Sequence, residues 1–111
     1  MNDIFYLIRQ LGINSTYRGY RYLYSAILLA MQDEEYLLSI TKRMYLDIAH
    51  QYETTAGCVE RSLRTVISVC WERGNQDFLR EITPYPLRTK PTAGEFIDIL
   101  TAHCKNKSLH V

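Results

Sequence analysis

The sequence predicts an all-α fold, a single domain of about six helices that contains a helix-turn-helix. Apolar residues recur every three to four positions along several stretches, which is typical of helices with one buried face. No stretch of useful length shows the apolar–polar alternation of a half-buried strand. The 111 residues are enough for one hydrophobic core but not for two, so residues 1–111 are expected to form one domain.

Two helices are expected before the helix-turn-helix. Asp3 to Leu11 is a short amphipathic stretch, and Gly12 is expected to end its helix. The polar residues 14–16 offer N-caps for a longer helix over Tyr17 to Gln32. Residues 36–40 lead into Thr41 to Tyr52, the first helix of the motif, and the pattern leaves open whether one helix or two cover this span.

The stretch Thr54 to Arg73 is expected to be one helix with two unlike faces. Its buried face is an apolar stripe at helical spacing, formed by Val59, Leu63, Val66, Ile67 and Cys70. Thr55 is the expected N-cap, because its hydroxyl can accept from a free backbone N–H. Gly74 is expected to end the helix in the left-handed conformation. The other face carries arginines and small side chains, namely Gly57, Arg61, Arg64, Thr65 and Ser68.

A very short turn, about residues 53–54, separates this helix from a preceding one that ends near Tyr52. Helix, tight turn and helix with an exposed basic N-terminal face together predict a helix-turn-helix over residues 41–73. In that motif the second helix enters the major groove of DNA, and its first turns meet the base edges. The helix over residues 55–73 is therefore the expected recognition helix.

The C-terminal third is expected to hold two more helices and a loop. Gln76 to Ile82 is a short helix, and Thr83 to Pro91 is a loop because it contains all three prolines. Thr92 and Glu95 have the spacing of a capping box for a last helix that runs to about Lys105. Residues 106–111 are expected to fray.

The charge balance is a weak indication of nucleic-acid binding, since 13 basic residues against 12 acidic ones give a net charge of +1. The distribution of charge matters more than its sum. Acidic residues group at positions 33–35. Basic residues recur in pairs, which are Arg18 and Arg21, Lys42 and Arg43, Arg61 and Arg64, and Lys105 and Lys107. This segregation is compatible with one basic face.

Other classes of function find little support in the sequence. No nucleophile–base set, metal cluster or phosphate-binding glycine loop is present, so neither an enzyme nor a cofactor, metal or small-molecule substrate is expected. The three cysteines form no C-x-x-C pair and fit neither a disulfide framework nor a zinc site. No apolar run approaches the roughly 18 residues of a membrane span, and the N-terminus lacks a signal-peptide pattern. A cytoplasmic location without a membrane partner is expected.

The run Ser39 to Asn75, SITKRMYLDIAHQYETTAGCVERSLRTVISVCWERGN, resembles the C-terminal effector domain of the sporulation initiation response regulator of Firmicutes. The likeness continues in Leu11 to Ile27 and Lys90 to Leu100, so it covers nearly the whole chain in the same order and spacing. It implies a six-helical domain that binds a short GC-centred operator box in the major groove, with neighbouring copies in tandem on the DNA. The family pattern has a receiver domain before this one. Because the first effector helix follows Met1 almost directly, no receiver domain is expected here.

The resemblance also implies which residues meet DNA. Glu60 and Arg61 correspond to residues that face bases or the groove, and Arg64 corresponds to a base- or backbone-contacting arginine. The matching positions of the recognition helix are Thr54, Thr55, Ala56, Val59, Glu60, Arg61 and Arg64. Around the first motif helix and the turn, Thr41, Lys42 and Thr54 either touch phosphates or serve as ordinary caps and a solvated lysine.

Two departures from the family pattern concern sequence reading. Gly57 and Cys58 stand where the family typically has a serine and a base-reading arginine, and Thr65 stands where it typically has a histidine. Cysteine cannot make the bidentate bond of arginine to guanine, and losing one such contact removes about 1–3 kcal/mol of discrimination. Cys58, near a helix N-terminus and beside Arg61, is either a redox-sensitive thiol or simply a small replacement residue.

The leading functional hypothesis is a sequence-preferring DNA-binding transcriptional regulator that uses double-stranded DNA as its partner, with tandem or homodimeric association on it. On the pattern alone, Arg61 and Arg64 can also be solvated charges, since Glu60 and Arg64 are spaced for an ion pair. The alternative is therefore a helical protein–protein interaction module, or an antagonist of a full-length sporulation regulator that has lost DNA reading. The near-neutral charge and Cys58 favour this alternative.

Overall fold

The computed structural model describes residues 3–109, and the side chains of residues 3–107. This part of the chain is helical, without strands, which confirms the predicted all-α class. Its six α-helices are α1 (Asp3–Gln10), α2 (Arg18–Gln32), α3 (Tyr45–Gln51), α4 (Ala56–Glu72), α5 (Gln76–Ile82) and α6 (Ala93–Leu109). A 3₁₀ helix (Glu34–Leu38) and a π-helical turn (Ile40–Met44) connect α2 to α3. None of the described helices is both long and apolar enough to cross a membrane.

Helix α2 lies at the centre of the fold and packs against both α4 and α6. Gly19 is buried in its first turn, directly against α4. A Cβ at Gly19 would overlap the carbonyl oxygen of Ser62 and lie 2.8 Å from Cγ1 of Val66. Only glycine permits this approach of the two helices, so the start of α2 is held against the middle of α4.

The segment before α4 differs in detail from a single regular helix. The π-helical turn leads directly into α3, and Met44, Tyr45 and Ile48 anchor the pair in the core. The turn that follows is closed by Glu53, which has a φ of 53°, and by the Thr54 N–H, which donates to the Ala49 carbonyl at 2.9 Å. The chain therefore reverses tightly between α3 and α4, as the helix-turn-helix pattern predicted.

Helix α4 begins as predicted but ends differently. Thr55 is its N-cap, and its Oγ1 accepts from the Cys58 N–H at 3.1 Å. The prediction that Gly74 is left-handed was wrong, because the glycine with positive φ in the described chain is Gly12, at 89°. Gly74 is needed for space instead, since a Cβ there would lie 2.5 Å from the Leu11 carbonyl oxygen and 2.9 Å from Cα of Cys70.

At the starts of α2 and α6, one predicted cap is absent and the other is present. Polar residues 14–16 do not cap α2, whose N-cap is Tyr17 without a side-chain hydrogen bond. The capping box of α6 is confirmed: the Thr92 N–H donates to Glu95 Oε1 at 2.9 Å, and the Glu95 N–H donates to Thr92 Oγ1 at 3.2 Å. Helix α6 continues to Leu109. The prediction of fraying from residue 106 was therefore wrong for residues 106–109, and residues 110–111 lie outside the described chain.

Candidate nucleic-acid interface

Helix α4 has one buried side and one open side. The predicted apolar stripe is confirmed, since Val59, Leu63, Val66, Ile67 and Cys70 are all buried. On the open side a shallow groove follows most of the helix, and its lining residues are Arg61, Arg64, Thr65, Ser68, Val69, Glu72 and Arg73. A helix held by its apolar side leaves its polar side free to approach a large, flat or grooved partner.

Arg61 is exposed at the N-terminal end of this groove. Its guanidinium lies back towards the helix N-terminus, with Nη1 3.5 Å from where a Cβ of Gly57 would be. This direction is usual for long side chains on a helix. Among the described residues no carboxylate forms an ion pair with Arg61. Its charge is therefore available to an incoming anion.

Arg64 differs from Arg61 because it is paired. Its Nη2 lies 3.2 Å from Glu60 Oε1, and the two side chains are 66% and 44% exposed. An exposed pair four residues apart on a helix contributes only about 0.3–0.5 kcal/mol, so it can open at little cost. The Glu60 carboxylate is also close enough to Tyr45 to add to burial, the main cause, in raising the pKa of that phenol.

The first turn of α4 is occupied by small side chains whose hydrogen bonds point back into the protein. Thr55 is committed to its capping bond. The half-buried thiol of Cys58 accepts from Arg18 Nη1 at 4.0 Å. A hydrogen bond with the Thr54 side chain is the main cause that lowers the pKa of Cys58, burial opposes this effect, and the bond from Arg18 adds to it. The thiol is thus held by groups from two helices and the turn.

The remaining predicted site residues are placed less directly. Thr41 and Lys42 are exposed on the π-helical turn rather than on α4. Their neighbour Arg43 is not free, since it bonds Asp33 at 3.1 Å and stacks on Tyr36. Thr65 is exposed on α4, but its hydroxyl already donates to the Arg61 carbonyl at 3.0 Å. Of the ten predicted residues, eight lie on α4 or on the turn between α3 and α4. The other two, Thr41 and Lys42, lie on the π-helical turn before α3.

Two basic residues outside the helix-turn-helix flank the open side of α4 and were not among the predicted contacts. Arg18, the first residue of α2, lies at one edge beside Cys58. Lys90, from the proline-containing loop, lies at the other edge, and its Nζ donates to Ser68 Oγ at 3.0 Å. The sequence showed their charge but gave no local signal of these positions, because they are 40 and 22 residues from their partners along the chain.

Within the described residues no group of three His, Cys, Asp or Glu side chains is placed to hold a metal ion. The site is thus a surface of guanidinium, ammonium and hydroxyl groups on a capped helix. Such groups bind phosphates and the acceptor atoms of bases.

The model of one protein family, described as the sporulation initiation factor Spo0A C terminal, matches residues 4–104. This range includes all of α1 but its first residue, the whole of α2 to α5 and most of α6. The match confirms the resemblance and extends over nearly the entire chain. The chain belongs to the Spo0A C-terminal family, a family of DNA-binding regulatory domains that act in sporulation.

Proposed function

We infer that this chain is a sequence-preferring DNA-binding transcriptional regulator whose α4 enters the major groove. The observation that carries this proposal is Arg61, which is exposed, without an ion pair among the described residues, and located in the half of a recognition helix that meets bases. Arginine forms a bidentate pair with guanine, which is the commonest specific contact of protein side chains with DNA. Arg61 is therefore the proposed principal base reader.

The neighbouring residues have distinct proposed roles. Glu60 can accept from the amino group of cytosine, and once it does so the Arg64 guanidinium is released to a base or a phosphate. Thr41, Lys42, Thr54 and Thr55 are proposed to contact the DNA backbone, which positions the helix but reads no sequence. Gly57, Cys58 and Thr65 stand at positions where the family typically has a serine, a base-reading arginine and a histidine. The preferred operator is therefore expected to differ from the box of the family.

The experiment is a selection of bound duplexes from a random library, followed by affinity measurements on the enriched site. Arg61→Ala is expected to lower affinity for that site about 5- to 140-fold, the equivalent of 1–3 kcal/mol, with little change in helix content by circular dichroism. Lys107→Ala is the matched control, because it removes one positive charge from an exposed position on α6. Unchanged affinity of Arg61→Ala would contradict the proposal.

The salt dependence of binding gives a second test of the same proposal. Phosphate contacts release counterions, so log affinity should fall linearly with log salt, by about 0.9 for each phosphate neutralised. A flat response between low and physiological salt would exclude the backbone contacts. Tandem or homodimeric association on DNA and a cytoplasmic location stay predictions, and sedimentation of the complex at increasing protein concentration tests the association.

A second function is favoured by two exposed leucines. Leu38 on the 3₁₀ helix is 85% exposed, and Leu46 on α3 is 54% exposed. Such side chains suit a helical protein–protein interaction module, including an antagonist that binds a full-length regulator. Retention of non-specific duplex DNA at low salt supports the DNA-binding proposal, whereas co-purification of a protein partner without DNA retention supports this second one.

A further inference from the structure

The first turn of α4 has no side chain long enough to read a base. It consists of Ala56, Gly57 and Cys58, although the first turns of a recognition helix are the ones that meet base edges. A guanidinium is nevertheless present at this end of the helix. It belongs to Arg18 of α2, whose Nη1 lies 4.0 Å from Cys58 Sγ.

The backbone of Arg18 is fixed by its neighbour in the chain. Gly19 packs so closely on Ser62 that a Cβ would overlap the Ser62 carbonyl oxygen. The first turn of α2 is therefore held against the second and third turns of α4, while the Arg18 side chain itself is exposed. Its small neighbour Cys58 leaves the guanidinium room beside the open side of α4.

The charge of Arg18 is unfavourably placed in the helix to which it belongs. The N-terminal end of a helix carries positive partial charge, so a cation there is unfavourable. The first turn of α2 has no acidic residue, and its N-cap Tyr17 makes no side-chain hydrogen bond. Among the described residues no carboxylate forms an ion pair with Arg18. A position that violates a local rule without compensation is typical of a functional site.

Arg21, in the same turn of α2, is a useful contrast. Its Nη1 donates to the Ser15 carbonyl at 3.2 Å, and its guanidinium lies over the Tyr20 ring. Arg21 is thus used by the fold, whereas Arg18 points its charge at the start of the recognition helix.

We propose that Arg18 is a specificity-determining residue that reads a guanine opposite the first turn of α4. The recognition surface is then composite: α4 supplies Arg61, and α2 supplies the reader at the N-terminal edge. The proposal rests on the proposed function, because it requires α4 to lie in the major groove.

The test uses the full chain and a random duplex library, with wild type, Arg18→Ala, Arg18→Gln and Arg21→Ala selected in parallel. Arg18→Ala is expected to lose preference at one or two adjacent positions and to bind the wild-type site about 5- to 140-fold more weakly. Arg18→Gln is expected to shift the preferred base at that position from guanine to adenine, since glutamine pairs bidentately with adenine. Arg21→Ala, which removes the same charge from the same turn, is expected to keep the wild-type preference.

The outcomes separate this proposal from the one on which it rests. If wild type enriches a site and Arg18→Ala keeps every preference, with a uniform loss of affinity and a salt slope reduced by about 1, Arg18 is a phosphate contact and the specificity role is overturned. Unchanged affinity and preference overturn it as well. If wild type enriches no sequence while still retaining DNA, sequence reading itself fails, and both proposals fall. Circular dichroism of each variant confirms that the fold is intact.

Discussion

The two ends of α4 have opposite properties, although one apolar stripe lies beneath both. At the N-terminal end the side chains are small or exposed, and the added Cβ of Gly57 would meet only the flexible tip of Arg61, at 3.5 Å. At the C-terminal end the backbone itself is packed, since Gly74 lies against Leu11 and Cys70. The Asn75 N–H also donates to the Leu11 carbonyl there, at 3.1 Å.

One helix can therefore keep its proposed binding surface separate from its structural attachment. Substitutions at the N-terminal end are expected to change what the protein binds, and substitutions at the C-terminal end are expected to change how stable it is. Each of the following measurements compares matched positions at the two ends or isolates one contact at the open end.

The largest expected difference is in thiol reactivity, because α4 carries one cysteine at each end. Burial raises the pKa of Cys70 to about 12, whereas the pKa of Cys58 lies below its usual value. A lower pKa means more thiolate at neutral pH, and the thiolate is the reactive form. Cys58 should therefore be alkylated much faster than Cys70, which is also fully buried while Cys58 is partly exposed.

Mass spectrometry of the native protein after timed treatment with iodoacetamide measures both rates in one sample. Denaturant should make the two cysteines react alike. Equal rates in the native protein would mean that the two ends are equally open, and the comparison would fail.

The next effect is on stability, and it uses the same substitution at both ends. Gly74→Ala places a Cβ 2.5 Å from a carbonyl oxygen, so the backbone must move. Such overpacking costs about 1–3 kcal/mol. Gly57→Ala, the matched control, is expected to be neutral or to stabilise by up to about 1 kcal/mol, since alanine is a better helix former than glycine.

Urea unfolding of the two variants gives both free energies. Gly74→Ala, once folded, should keep the operator preference of wild type. If Gly57→Ala were less stable than Gly74→Ala, the claim that the C-terminal end of α4 is the structurally packed end would be contradicted.

The smallest effect concerns the ion pair on the open side. Glu60→Gln removes the partner of Arg64 and is expected to lower the free energy of unfolding by only about 0.3–0.5 kcal/mol. Salt screens exposed pairs, so the difference from wild type should vanish at about 1 M salt. Removing the negative charge should at the same time raise affinity for non-specific duplex DNA. A loss that persists at high salt would show that Glu60 acts through a contact other than this pair.

The features that could be predicted from the sequence depend on neighbours within about one helical turn. The Thr55 cap, the Thr92–Glu95 capping box and the buried stripe of α4 each follow from spacings of three or four residues, and all three are confirmed. The exposed, basic character of the helix around Arg61 is of the same kind. The DNA contacts themselves stay predictions.

The features that could not be predicted depend on where distant segments meet. Gly74 looked like a helix-ending glycine, yet its role is set by Leu11, which lies more than sixty positions earlier in the chain. The π-helical turn replaces the first turn of the helix expected over residues 41–52, and no spacing in residues 40–44 indicates it. Arg18 and Lys90 reach α4 only through the packing of α2 and the proline-containing loop.

The missing side chain at Gly19 has a consequence for how this domain can diverge. Because the two backbones are in contact there, α2 is held in a fixed position along α4. The backbone at position 18 is therefore expected to stay in place when its side chain is changed. On this account a single codon change can alter the preferred operator while the scaffold stays the same, so related domains can acquire new target genes without passing through an unstable ancestor.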